Sequence, residues 1–75
     1  MLESVIEGRL RQEAKKRGGM ALKFVSPGMN GVPDRIVLMP GGKMAFVELK
    51  APGKVPRVLQ EKRIWQLRRL GFLVY

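Results

Sequence analysis

The chain has 75 residues, with 15 Lys and Arg against 6 acids for a net charge of +9, and it contains neither cysteine nor histidine. This length holds one small domain, which buries only roughly 60% of the surface its unfolded chain exposes, so a homodimer would add stability. Disulfides, thiolate nucleophiles, imidazole bases and Cys- or His-ligated metals are all excluded, which leaves oxygen donors and therefore a hard ion: magnesium, manganese or calcium.

So dense a positive charge repels itself unless a polyanion supplies the counter-charge, and nucleic acid is the leading partner. A membrane surface is the rival. The sequence holds no 18-residue apolar run, and its first charged residue is Glu3 rather than part of a basic leader, so neither a membrane span nor a signal peptide is expected and the protein is placed in the cytoplasm.

In residues 2 to 17, Leu2, Ile6, Leu10 and Ala14 recur at intervals of four with Val5 flanking, the stripe of an amphipathic helix. A basic last turn and then Gly18 and Gly19 close it. Residues 20–25, MALKFV, are short and bounded by Gly-Gly and SPGMNG, which predicts a strand followed by a loop from Ser26 to Pro33. Residues 34–39, DRIVLM, are nearly continuously apolar after the first two, as in a strand covered on both faces.

Pro40, Gly41 and Gly42 separate this strand from the next, residues 43–50, and the pair reads as a hairpin. APGKVP is a turn. Val58, Leu59, Ile64, Trp65, Leu67 and Leu70 then lie at helical spacing within residues 57–70, with Pro56 placed for a first turn and Gly71 closing the helix before the terminal strand FLVY. Trp65, on this apolar stripe, reads as core rather than as a base-stacking residue, and the five methionines read as packing. The expected fold class is α/β, in the order α-β-β-β-α-β, one domain over residues 1–75.

The hairpin carries the chemistry. In an extended segment alternate side chains share a face, so Met44, Phe46, Glu48 and Lys50 lie together and two charges continue an apolar row. Opposed residues in an antiparallel pair have a constant index sum. A three-residue Pro40-Gly41-Gly42 loop, built on a type I turn with a left-handed glycine at the bulge, makes that sum 82 and sets Asp34 opposite Glu48. A two-residue Gly-Gly turn makes it 83 and sends the two acids to opposite faces. Where they meet, carboxylates about 4.5–5.5 Å apart at Cβ repel unless a cation lies between them, and a divalent metal resolves the conflict. Lys50, further along the same face, reaches toward a group bound at that metal. Taken singly, Asp34 is an ordinary strand-entry residue and Glu48 and Lys50 a solvated strand end; taken together they favour a site.

GVPD (Gly31–Asp34), a strand, a Gly-Gly turn and ELK (Glu48–Lys50) resemble the signature of the PD-(D/E)XK nuclease superfamily, and the run from Lys23 to Phe72 resembles its VRR-NUC branch. The resemblance implies a restriction-endonuclease-like mixed sheet flanked by helices. It implies Asp34, Glu48 and the Leu49 carbonyl as magnesium ligands, with manganese substituting, and Lys50 as the catalytic lysine. It also implies a glutamate from the first helix, matched to Glu7, although Glu3 sits nearer the middle of the apolar stripe. Gln60 matches a glutamine with an orienting role; an exposed polar residue on a helix is the alternative. No contiguous Val-Arg-Arg occurs, and Leu67, Arg68 and Arg69 are the nearest equivalent.

The activity so implied is a magnesium-dependent, structure-selective DNA endonuclease acting on branched DNA such as Holliday junctions, as a homodimer. Lys54, Arg57, Lys62, Arg63, Arg68 and Arg69, with Arg9, Arg11, Lys15, Lys16 and Arg17, are candidate phosphate contacts or solvated faces. The alternatives are a non-catalytic basic nucleic-acid-binding module and a nuclease subunit that needs a partner.

Overall fold

The computed structural model describes residues 3–49 and 57–75, with the main chain alone at residues 3 and 4. The elements are α1 (Glu3–Lys16), β1 (Met20–Lys23), β2 (Arg35–Met39), β3 (Lys43–Val47), α2 (Val58–Arg69) and β4 (Leu73–Val74), in the expected order. The APGKVP turn, Pro56, Lys54 and Lys50 lie outside the described residues. The strands form one sheet in the order β1-β2-β3-β4, antiparallel for the first two pairs and parallel for the last. A parallel neighbour requires a crossover, and α2 lies within the one that joins β3 to β4.

The β2–β3 hairpin pairs Ile36 with Phe46 and Leu38 with Met44, the register of the three-residue loop. Its turn differs from the expected type I. Gly41 has φ +83° and Gly42 φ +74°, and a positive φ directly after the proline is the mark of a type II turn, which glycine adopts without steric cost. The register survives because it depends on loop length, which both turn types share.

Helix α1 lies against the sheet face of Val37, Ala45 and Val47, where Leu10 and Ala14 line a groove with them. The opposite face carries Phe46, whose ring packs on Phe24 and Phe72 with centroids 5.8 Å away in each case. Among the described residues Ala14, Phe46, Leu49 and Val74 are the buried apolar side chains and Pro33 is fully enclosed. Burying a side chain such as Phe46 stabilises by about 1.5–3 kcal/mol, so a core this small is thin.

Three expectations about burial are corrected. Strand β2 is half-buried rather than covered on both faces, because it lies next to edge strand β1 and Leu38 remains exposed. Met20 and Met29 are exposed rather than packed. Trp65 is not core: it is 59% exposed, and the half-buried arc of α2 is Gln60, Arg63, Ile64, Gln66 and Leu67. Strands β1 and β3 are also shorter than expected, although the Phe24 N–H continues the β1–β2 ladder by donating to the Asp34 carbonyl at 2.8 Å.

Candidate active site

Asp34 and Glu48 are held one rung beyond the last paired residues of the hairpin, Arg35 and Val47. Neighbouring strands fix each main chain. The Asp34 carbonyl accepts the Phe24 N–H, and the Glu48 N–H donates to the Tyr75 carbonyl at 2.9 Å, beyond β4. The acids then fasten across the gap: Glu48 Oε2 accepts the Asp34 N–H at 3.2 Å, and Asp34 Oδ1 accepts the Leu49 N–H at 3.2 Å. Both are partly buried, so these contacts form where solvent screens them less than at an open surface.

Helix α2 adds Gln60. Its amide nitrogen donates to Glu48 Oε1 at 3.0 Å, while its amide oxygen accepts the Arg57 N–H at 2.8 Å, one of the unpaired donors at the start of the helix. One side chain thus links the start of α2 to the acid on β3. The GVPD segment explains how α2 comes so close. Gly31 has φ +82°, and a Cβ there would sit 2.7 Å from Leu59 Cγ, so only glycine lets the loop pass under the first turn of α2.

Glu7 stands in a different relation. Its carboxylate accepts from Arg35 Nη2 at 2.8 Å, in an ion pair where Arg35 is 12% and Glu7 30% exposed. Nη1 of the same guanidinium donates to the Asp34 carbonyl at 2.7 Å and lies 3.8 Å from Asp34 Oδ2. Arg35 therefore bridges α1 to the acid that precedes it in sequence, and its buried Nε has no partner among the described residues. Sequence reasoning missed Arg35. The signal lay in a charged residue at the start of an apolar strand, on the face that α1 covers.

Among the described residues no three acidic side chains gather at one point, and the structure brings together Asp34, Glu48, Leu49 and Gln60, with Glu7 joined through Arg35. The side chain of Glu3 and all of Lys50 lie outside the described residues. The two neighbouring carboxylates are oxygen donors, which suit a hard divalent ion such as magnesium.

Several cations expected at phosphates are engaged within the fold. Arg63 donates to the Asn30 carbonyl at 2.9 Å and Arg68 to the Val74 carbonyl at 2.9 Å. Lys16 and Arg17 both lie within ion-pair range of Glu13. No described helix is long and apolar enough to cross a membrane.

A four-stranded mixed sheet built in the order α-β-β-β-α-β is the fold of a VRR-NUC domain. A solved structure described as "VRR_NUC domain" superposes with a TM-score of 0.88 and 27% identity, over 96% of this chain and 78% of that one. A protein named "Putative nuclease p44", from Acyrthosiphon pisum secondary endosymbiont phage 1, is 51% identical over 72 residues, covering 96% of this chain and 77% of the relative. No family model matches the chain. By its likeness to these two proteins across nearly its whole length, the chain belongs to the VRR-NUC family.

Proposed function

We propose that this protein is a magnesium-dependent endodeoxyribonuclease that hydrolyses phosphodiester bonds in branched DNA, acting as a cytoplasmic homodimer. The observation that carries the reading is the Asp34–Glu48 pair, two acids held on one face by each other's strands and by Gln60. Two carboxylates held on one face are the oxygen donors that a divalent cation takes, and a metal-dependent nuclease uses such a cation. The relative named as a nuclease gives the reading independent support.

In this scheme Asp34, Glu48 and the carbonyl of Leu49 hold the ion. When bound, magnesium supplies Lewis-acid charge relief and lowers the pKa of a water. Gln60 orients the Glu48 carboxylate by donating to its Oε1. Glu7, assigned to the acidic set by the family resemblance, reaches the Asp34 rung through Arg35. Lys50, the last residue of ELK, steadies the attacking water or the charge that develops on the phosphate.

No base-reading element is evident, so selection by DNA shape fits better than selection by sequence. A two-fold dimer would set two sites against two symmetry-related strands of a junction. The apolar groove lined by Val37, Ala45, Val47 and Leu73 is a surface that a partner could cover.

The test is incubation with labelled duplex, flap and four-way-junction DNA, with and without magnesium, beside Glu48→Ala and Lys50→Ala. Magnesium-dependent cleavage favouring branched DNA, lost in both variants with binding retained, is the expected result. Binding with no cleavage in any sample would instead favour a non-catalytic module or a partner-dependent subunit.

A further inference from the structure

We propose that the outward stripe of α2, formed by Val58, Lys62, Trp65 and Arg69, is a platform on which unpaired bases of a DNA strand stack. The spacing i, i+4, i+7, i+11 sets these four side chains in one row opposite the half-buried arc that meets the sheet. All four are exposed, Val58 by 83%. The fold gains little from a tryptophan here, since the ring leaves most of its surface in water.

The Arg69 guanidinium lies 4.9 Å from the Trp65 ring centroid, within cation–π range. That contact steadies a large exposed aromatic and sets a positive charge over one of its faces, so a base would stack on the ring's other face or on the guanidinium plane. Lys62 adds a second charge one turn earlier, and among the described residues neither cation has an acidic partner within ion-pair distance. An aromatic face flanked by unpaired cations meets the two demands of single-stranded nucleic acid, stacking for the bases and counter-charge for the phosphates.

Charge decides between this ligand and a second copy of the chain. Two copies joined through this stripe by a two-fold axis would bring the Lys62 and Arg69 charges of both close together with Glu61 as the one neighbouring acid of the helix in each copy, a net repulsion, whereas a DNA strand brings the complementary sign. Duplex DNA presents phosphates but keeps its base faces stacked, so the ring selects strands with unpaired bases, as at a flap or junction. The inference rests on the nuclease reading for the identity of the polyanion, and it specifies which feature of the substrate is held away from the site.

Trp65 is the chain's one tryptophan, so its emission reports on the stripe directly. In chelator, where nothing is cut, the full chain is titrated with short oligothymidylate, with a strand of abasic sites of equal charge, and with blunt duplex. Oligothymidylate is expected to quench the emission and the abasic strand to leave it unchanged. With affinity read from the anisotropy of end-labelled oligothymidylate, which needs no tryptophan, Trp65→Ala should weaken binding about 5- to 150-fold, the equivalent of losing stacking on one base. The Lys62→Glu/Arg69→Glu double variant should weaken it too, and on a flap substrate Trp65→Ala should raise KM with kcat unchanged. Unquenched emission, equal affinity in Trp65→Ala, or an emission shift that follows protein concentration as dimers sediment would overturn the inference. Quenching by a protein that never cuts would sink the nuclease reading alone; magnesium-dependent cutting with Trp65→Ala binding as tightly as wild type would sink the stacking platform alone.

Discussion

Asp34 and Glu48 each accept a main-chain N–H from the other's strand: Asp34 N–H reaches Glu48 Oε2 and Leu49 N–H reaches Asp34 Oδ1, both at 3.2 Å. A neutral amide accepts the same bonds, and the Arg35 Nη1–Asp34 Oδ2 ion pair is long at 3.8 Å, so charge here contributes little to stability. Asp34→Asn is therefore expected to stay within about 1 kcal/mol of wild type in urea denaturation, the range of an exchanged neutral hydrogen bond. Its cleavage rate should fall by about 10²–10³-fold, the scale of losing one electrostatic contribution to the transition state. A large loss of stability with residual cleavage would assign Asp34 a structural role.

Gln60 tethers Glu48 from α2 and accepts a helix-end N–H with its other atom. Removing a group that orients a metal ligand costs about 10–100-fold in affinity or activity, and Gln60→Ala should fall in that range. Gln60→Glu should be worse, because it replaces the donor facing Glu48 with an acceptor of like charge. Single-turnover cleavage across a magnesium titration separates lost cation affinity from a slower chemical step.

Arg35 joins Glu7 to the Asp34 rung through charge-assisted bonds of 2.8 and 2.7 Å. Glu7→Gln keeps a neutral acceptor for Arg35 and is expected to destabilise by about 1 kcal/mol, the difference between a charge-assisted and a neutral hydrogen bond. Arg35→Ala should cost at least as much, since it leaves Glu7 without its partner. Urea midpoints give the cost. Cation titration of Glu7→Gln then shows whether Glu7 also serves the metal, because an acid that only holds Arg35 would leave cation affinity near that of wild type.

Gly31→Ala joins two costs, a positive φ that L-residues disfavour and a Cβ pressed against Leu59. Strain of this kind costs about 1–3 kcal/mol. The substitution should also lower activity by displacing the α2 turn that carries Gln60. Thermal melts and cleavage rates should both fall, and an unchanged rate would show that the position of α2 does not matter to the site.

The hairpin was legible because a loop of three residues between two apolar runs fixes which side chains face each other, and Asp34 follows from Glu48 by counting. Trp65 was misread for the converse reason. The apolar residues of α2 run nearly round the helix, from Val58 and Trp65 on one side to Ile64 and Leu67 on the other, so spacing alone could not choose the inward arc. The arc that turned inward is partly polar, with Gln60 and Arg63 in it, because Gln60 bonds the Glu48 carboxylate and Arg63 the Asn30 carbonyl. The Glu7–Arg35 bridge was beyond reach for another reason: it depends on which sheet face α1 covers, a packing choice that neither segment encodes by itself.

The most direct test of the central claim is calorimetric titration of the protein with manganese, in the absence of DNA, for wild type and Glu48→Gln. Saturable uptake by wild type that disappears in the variant is the predicted result. No uptake by wild type, or equal uptake by both, would contradict the assignment of Asp34 and Glu48 as the cation-holding pair.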